Sequence, residues 1–177
     1  KFNLGELLGG LVKNKALIGI VLASICMLLV QLTSSTMTTY VFPNYFKNTA
    51  AQSAAGLVGV LITLICASIT VKLSQKFGRK ELAIIASIFG AAIYVIALIL
   101  HTKNAWVFVV IYAISYIGLA IFQLICWAMI TDVIDDTEVQ TGERSDGTIY
   151  AVYSFARKLG QAASSGISGL LLSLIGY

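Results

Sequence analysis

Two adjacent cations, Arg157 and Lys158, lie inside a long apolar segment and could hold an anion or donate hydrogen bonds to a polar solute. Lys158 comes 11 residues after Gly147, where that segment begins. At 1.5 Å per residue of helix it would lie about 16 Å deep, near the middle of a hydrocarbon core about 30 Å thick. A cation there costs roughly 2.5–3.5 kcal/mol to insert, so we expect Lys158 to have a partner or to face water.

A line of polar residues follows the predicted helix that carries Lys158. Its members are three or four residues apart, which places them on one helix face. They are Tyr150, Ser154, Lys158, Gln161, Ser165 and Ser168. We interpret this stripe as the lining of a hydrated cavity, although the serines alone could instead hydrogen-bond to a neighbouring helix. Arg157 points about 100° away from the stripe and could snorkel or pair with an acid, so its role stays open.

Four acids, Asp132, Asp135, Asp136 and Glu138, follow the preceding apolar segment. The three aspartates share one helical face, where like charges repel slightly, and a solvated loop over 132–146 is their ordinary explanation. Asp132 differs because it directly follows apolar residues. Its carboxylate could pair with Arg144, with Arg157 or with a cation on a gate.

The composition predicts the elements that must position these residues. Of the 177 residues, 58% are hydrophobic and 11% are charged, whereas soluble domains carry about a quarter charged residues. The apolar runs are long and do not alternate with polar residues, so we predict an all-α integral membrane protein. Five runs are long enough to span the bilayer, and we place the spans at about 16–42, 51–72, 81–101, 105–131 and 147–175.

The positions of Lys and Arg predict how the spans are oriented. Eight of these cations fall on one side of the membrane and two on the other. The first set is Lys1, Lys13, Lys15, Lys72, Lys76, Arg79, Lys80 and Arg144, and the second is Lys47 and Lys103. The excess predicts a cytoplasmic Lys1 end and an extracellular Tyr177 end. The net charge of +4 therefore reflects topology and not nucleic-acid binding.

The segment before the first span is too short and too charged to cross the membrane. The leucines of Lys1–Lys15 share one side, which favours a helix lying on the cytoplasmic surface, with an ordinary loop as the alternative. Five spans leave the termini on opposite sides, so we expect the chain to be a piece of a longer protein whose partner helices lie elsewhere.

Catalytic and metal-binding patterns are not found in the sequence. The three cysteines lie inside apolar runs roughly forty and sixty residues apart, a spacing that predicts neither a metal site nor a disulfide framework. The single histidine, His101, lies at the end of a predicted span, and no P-loop, HExxH or GxSxG motif occurs. A membrane enzyme is therefore disfavoured, and we predict no cofactor.

The segment from Gln123 to Ala162 resembles a known family of carriers. The run WAMITDVID (127–135), followed by Glu138, Thr141-Gly142, Arg144, Gly147, Tyr150 and Lys158, is similar to the glycoside–pentoside–hexuronide:cation symporters. These form the melibiose- and xyloside-carrier branch of the major facilitator superfamily. KNKAL (13–17) and KFGRKEL (76–82) support the resemblance.

The resemblance implies that the five spans correspond to helices seven to eleven of a twelve-helix carrier, in its C-terminal bundle. Lys158 falls on the family's lysine facing the central cavity, and Trp127, Tyr150, Ser154 and Gln161 join it as candidate substrate residues. Gln123 aligns with an aromatic sugar-site residue, and Asp132, Asp135 and Arg144 with the cytoplasmic gate. Asp136 stands where an aromatic residue is usual, and Arg157 adds a charge beside the lysine.

The resemblance also implies symport of a sugar with Na⁺ or H⁺, the ion site lying mostly in an N-terminal bundle absent from this chain. The expected partners are the sugar, the lipid bilayer and that missing bundle. A carrier or receptor for lipid is the alternative, because Lys158 could also bind a lipid headgroup. Aspartates in the upstream half would discriminate between the two.

Overall fold

The computed structural model describes residues 14–142 and 146–176. Every regular element in this part of the chain is an α-helix, and the helices overlie the five predicted spans. They are α1 (Lys15–Asn44), α2 (Thr49–Phe77), α3 (Arg79–Leu100), α4 (Ala105–Thr141) and α5 (Asp146–Ile175). Arg144 and nearly all of the predicted surface helix Lys1–Lys15 lie outside the described residues.

Helix α4 is longer than the predicted fourth span. The sequence places the span's end at about Thr131 and a loop after it, but the helix continues to Thr141 and includes the acidic residues. The loop prediction was wrong over 132–141 because no proline or glycine interrupts this stretch. Gly142 follows the helix with a φ of 72°, and its N–H donates to the Glu138 carbonyl oxygen at 2.8 Å. A left-handed glycine of this kind is a common helix end.

The helices differ in how apolar they are. Within the described residues, α1 to α4 are each long and apolar enough to cross a membrane. Helix α5 has 30 residues, or about 45 Å, which is also enough length. Its polar stripe makes it less apolar than the other four, so its crossing remains a prediction from the sequence.

The chain divides into two compact units, the first of which contains residues 1–33 and 126–177. In its described part, one apolar cluster joins the start of α1, the end of α4 and the start of α5. It consists of Leu17, Ile20, Ile130, Val133, Ile134, Ile149 and Tyr153. Gly160 lets α5 approach α1, since a Cβ at this position would lie 3.4 Å from the Cα of Ile25. Farther along, the hydroxyls of Thr33 and Ser164 are 3.0 Å apart.

The second unit contains residues 34–125. Its apolar cluster consists of Phe42, Ala51, Ala55, Ala105 and Val109, drawn from α1, α2 and α4. Helices α3 and α4 cross at Gly90 and Gly118, where a Cβ on Gly118 would lie 2.5 Å from the Ala86 carbonyl oxygen. Small residues allow such close approach of membrane helices.

Candidate functional site

Arg157 on α5 is held by aromatic rings of the first unit. Its guanidinium carbon lies 4.9 Å from the ring centre of Trp127 and 5.7 Å from that of Tyr153. Its Nη1 also donates a long hydrogen bond of 3.4 Å to the Tyr153 hydroxyl. A cation over a ring face gains about 0.5–1 kcal/mol at an exposed site and about 2 kcal/mol when desolvated, which would offset part of the cost of a cation in a membrane.

The sequence left open whether Arg157 snorkels or pairs with an acid. Its guanidinium is directed to Trp127 and Tyr153, and it forms no ion pair with a carboxylate in residues 14–142 and 146–176. The suggested pair with Asp132 is therefore not formed. Sequence reasoning could not find the contact with Trp127, because Trp127 belongs to α4 and meets Arg157 only through the packing of α4 against α5. Tyr153 lies four residues before Arg157 on α5, and this spacing was the available signal for their contact.

Trp127 and Tyr150 present partly open aromatic surface beside Arg157. Trp127 is 41% exposed and Tyr150 is 46% exposed, and their rings lie 6.2 Å apart at an angle of 37°. Tyr153 is fully buried and meets Trp127 edge to face, with ring centres 5.8 Å apart. We call Trp127, Tyr150, Tyr153 and Arg157 the aromatic platform. It combines an apolar surface with a fixed charge, the usual composition of a small-molecule site.

Lys158 is exposed and has an uncharged partner. Its Nζ donates to the Gln161 side-chain oxygen at 3.3 Å, one turn along α5. An amide oxygen satisfies one of the three ammonium donors and leaves the charge uncompensated. The pair brings together two residues that the sequence predicts to act on the solute.

The predicted polar stripe is mostly open. Tyr150, Lys158 and Ser165 are exposed, and Ser154 and Gln161 are half-buried. Ser168 is the exception: it is buried and belongs to the packing edge of α5. That edge consists of Ile149, Tyr153, Ala156, Gly160, Ser164 and Ser168. Including Ser168 in the open face was wrong, because this edge of α5 is covered by packing, as Ser164 one turn earlier shows by its contact with Thr33 of α1.

The acids of the predicted gate have exposed side chains. Asp132 and Asp135 are exposed on the last turns of α4 in this chain. Arg144 lies outside the described residues, and the gate itself stays a prediction. Gln123 is half-buried and belongs to the second unit, and its contact with substrate likewise stays a prediction.

Sequence reasoning overlooked a polar segment in α1. Eight of the ten residues from Gln31 to Tyr40 are polar, although the segment carries no charge. In the second unit, the Ser34 hydroxyl lies 2.9 Å from the Tyr94 hydroxyl and joins α1 to α3. Several other hydroxyls bond back to their own helix, as Thr38 does to the Ser35 carbonyl oxygen at 2.8 Å. The density of Ser and Thr was the available signal.

Comparisons with known proteins identify relatives of the chain. A family model described as MFS/sugar transport protein matches residues 1–177. The chain is 30% identical over 177 residues to an uncharacterized symporter, YjmB, of Bacillus subtilis. It is 26% identical over 166 residues to a glucuronide carrier protein homolog of Escherichia coli. It is also 27% identical over 171 residues to sodium-dependent lysophosphatidylcholine symporter 1 of Gallus gallus.

These matches cover most of the chain and only part of each relative. They include 100%, 93% and 92% of the chain, but 38%, 36% and 30% of the respective relatives. The chain thus spans less than two-fifths of the length of these proteins. No solved structure matches it significantly.

Proposed function

The chain belongs to the MFS/sugar transport family of multi-pass membrane transporters, and on this premise we propose that it is part of a symporter coupling sugar movement to Na⁺ or H⁺. The observation that carries the proposal is the open polar face of α5. On that face Lys158 is exposed beside Gln161, and the aromatic platform lies next to it. We attribute a charge at the predicted depth of Lys158 to a hydrated cavity that holds the solute.

The chemistry of this face suits a sugar. The Lys158 ammonium and the Gln161 amide donate and accept hydrogen bonds, which hydroxyl groups require. The open rings of Trp127 and Tyr150 offer an apolar surface to the C–H face of a pyranose. Two relatives are named as a symporter and as a glucuronide carrier homolog, and these names support a solute of this kind.

Coupling follows from the charge of Lys158. With no cation bound, the ammonium would pair with a carboxylate of the missing N-terminal bundle. Binding of Na⁺ or H⁺ at that carboxylate would release Lys158 to the sugar, so that one ligand raises the affinity for the other. Alternating access then arises from rocking of the two bundles around a site near the membrane midplane. The Lys1 end lies in the cytoplasm and the Tyr177 end outside.

Lipid transport is the second candidate. One relative is named as a sodium-dependent lysophosphatidylcholine symporter, and the aromatic platform could receive a phosphate headgroup as well as a sugar acid. A lipid carrier would need the acyl chain to lie against apolar walls beyond the platform. Competition by lysophospholipid against sugar uptake distinguishes the two candidates.

The test is uptake of a panel of radiolabelled sugars by the full-length carrier in proteoliposomes, with and without a Na⁺ or H⁺ gradient. We expect the gradient to drive accumulation in the wild type and Lys158→Ala to abolish it with the protein still in the membrane. Leu159→Ala is the matched control, because this neighbouring side chain is also exposed but apolar. Unchanged accumulation in Lys158→Ala would return Lys158 to a structural role.

A further inference from the structure

We propose that the Phe77 end of α2 binds an anionic phospholipid, whose headgroup phosphate lies between Lys72 and Lys76. The proposal goes beyond transport, because it assigns a lipid site to an exposed face of α2. It rests only on α2 crossing the membrane, for which the helix is long and apolar enough. The occupant is a phospholipid with a net negative charge, of which phosphatidylglycerol is the simplest.

The first argument is the order of side chains along this face of α2. Leu61, Ile65 and Ile69 follow one another in four-residue steps and are 57%, 59% and 44% exposed. Lys72 and Lys76 continue the same face in steps of three and four residues, and both are exposed. A phospholipid has the same order, an apolar chain followed by a charged phosphate. The face therefore complements such a lipid along its length.

The second argument is the position of the two lysines. Residues 48–71 carry no charge, so Lys72 lies where the hydrocarbon core should end. Lys76 follows one helical turn later, about 6 Å along the axis, and long lysine side chains near a helix end extend toward the headgroups. The two ammonium groups can thus reach one phosphate. Like charges at this spacing repel slightly, and a phosphate between them replaces the repulsion by attraction.

The third argument is the local charge. Residues 72–81 contain four cations and a single acid, Glu81, whose side chain folds back against Gly78. Neither Lys72 nor Lys76 forms an ion pair within residues 14–142 and 146–176. The excess of positive charge repels the ammonium group of a zwitterionic lipid and attracts a headgroup that has no cation.

The fourth argument is the tight turn that follows the lysines. Helix α3 begins at Arg79, after the single residue Gly78, whose φ of 89° favours glycine. So short a connection cannot extend far from the membrane, and it keeps its charges at the level of the headgroups. Phe77 is 52% exposed beside the turn, and the Lys76 Nζ lies 5.4 Å from its ring centre. An exposed aromatic ring next to a cation suits the boundary between hydrocarbon and headgroups.

The experiment measures contact of lipid with the full-length carrier in bilayers. Every native tryptophan is replaced by Phe, and Ile69→Trp introduces one reporter on the proposed face. Phosphatidylcholine bilayers receive increasing fractions of phosphatidylglycerol with brominated chains, which quench tryptophan on contact. The quenching curve gives the binding constant of phosphatidylglycerol relative to phosphatidylcholine. Leu57→Trp is the matched control reporter, because Leu57 is 68% exposed toward the other end of α2.

The two reporters should give different constants. One lysine near an anionic surface strengthens binding about fivefold, so we expect a relative constant of about 5 to 25 at position 69. At position 57, which has no pair of lysines on its face, the constant should favour neither lipid.

The variants assign the preference to the two lysines. Lys72→Gln and Lys76→Gln should each lower the constant at position 69 about two- to fivefold, and the double variant should remove the preference. Lys72→Arg and Lys76→Arg should keep it, because the charge remains. Lys103→Gln, exposed beyond the other end of α3, controls for net charge and should have no effect. Quenching by brominated phosphatidylcholine alone should be equal in all variants, which shows that each one folds with position 69 in contact with lipid.

Lys80→Gln separates a phosphate site on α2 from a diffuse surface potential. Lys80 is exposed after the same turn but belongs to α3. A phosphate between Lys72 and Lys76 predicts a smaller loss of preference in Lys80→Gln than in either α2 variant. Equal losses in all three variants would overturn the site.

Two further results would overturn the proposal. A constant at position 69 no higher than at position 57 would show that the lysines do not select the lipid. A reporter at position 69 that no brominated lipid quenches would show that protein covers this face. No solute is present in these measurements, so either result leaves the proposed function standing. Conversely, failure of the full-length carrier to accumulate any sugar would contradict the proposed function and leave the lipid site standing.

Discussion

The guanidinium of Arg157 lies over the indole of Trp127, 4.9 Å from the ring centre, and this contact joins α5 to α4. The Arg157 cation on α5 is therefore stabilised by a neighbouring ring and not by an acid of the described residues. The adjacent Lys158 has only the neutral Gln161 as a side-chain hydrogen-bond partner there. The two positive charges thus remain available to a solute, to a coupling carboxylate or to both.

The contact predicts that Trp127 reports ligand binding by its fluorescence. The chain has two tryptophans, and Trp106 lies at the start of α4, in the second unit. With Trp106 and any tryptophan outside this chain replaced by Phe, addition of a bound glycoside should change the emission of Trp127. The emission should change because the bound ligand displaces water from the Trp127 ring, which is 41% exposed.

Replacing Trp127 by Phe and keeping Trp106 is the control, and its emission should not respond to the same ligand. A response from Trp106 alone would place the ligand away from the platform. Arg157→Gln should alter the emission of Trp127 even before ligand is added, because a charge next to the indole is removed.

The crossing of α3 and α4 predicts a destabilising substitution in the second unit. Gly118→Ala introduces a Cβ 2.5 Å from the Ala86 carbonyl oxygen and 2.9 Å from the Gly90 nitrogen. Backbone atoms must then move apart, which we expect to cost about 1–3 kcal/mol and to lower the Tm of the detergent-solubilised carrier.

Gly56→Ala is the matched control, because Gly56 is exposed on α2 with nothing within 4 Å of an added Cβ. Alanine favours helix over glycine by up to about 1 kcal/mol, so this variant should keep or raise the Tm. Equal Tm values for the two variants would contradict the close approach of α3 and α4.

A side-chain hydrogen bond next to the start of α1 should contribute to stability, and a double-mutant cycle can measure that contribution. Asn14 accepts a hydrogen bond from the Leu17 N–H at 3.0 Å and donates one to the Thr137 hydroxyl at 2.8 Å. Asn14→Ala and Thr137→Val should each lower the free energy of unfolding by about 0.5–1.5 kcal/mol. The double variant should lose less than the sum, because both changes break the same bond.

Asn14→Asp refines this prediction. The aspartate keeps an oxygen for the Leu17 N–H and lacks the donor to Thr137, so only the coupling should disappear. Thr131→Val provides a control on the same helix, since this exposed hydroxyl bonds only within α4, to the Ala128 carbonyl oxygen. Strict additivity of Asn14→Ala and Thr137→Val would show that the bond between α1 and α4 does not contribute.

The sequence was sufficient for properties that depend on composition and spacing. Runs without charge predicted the five helices, whereas the functional role predicted for Lys158 from its depth stays a prediction. The same runs end the fourth span at about Thr131, whereas helix α4 continues to Thr141. Hydropathy reports where lipid ends, whereas a helix ends where its backbone is interrupted, here at Gly142.

Properties that depend on packing could not be predicted. The contact between Arg157 and Trp127 requires α4 and α5 to meet in one register, and spacing within either helix carries no information about it. The crossing of α3 and α4 at Gly90 and Gly118 could not be predicted either. Glycines are frequent wherever membrane helices pack, so their presence does not say which two helices meet. The polar segment of α1 was visible in the sequence but carries no charge, and so it did not interrupt the predicted span.

The most direct test of the central claim is the accessibility of the α5 polar face to water. In a carrier whose native cysteines are replaced, Gln161→Cys and Phe155→Cys are reacted with a membrane-impermeant thiol reagent, with and without substrate. Phe155 is 66% exposed and apolar and does not belong to the polar stripe, so it serves as the comparison position on the same helix. We predict rapid reaction at position 161 that substrate slows, and little reaction at position 155. No reaction at 161, or reaction that substrate leaves unchanged, would contradict a solute-bearing cavity at Lys158.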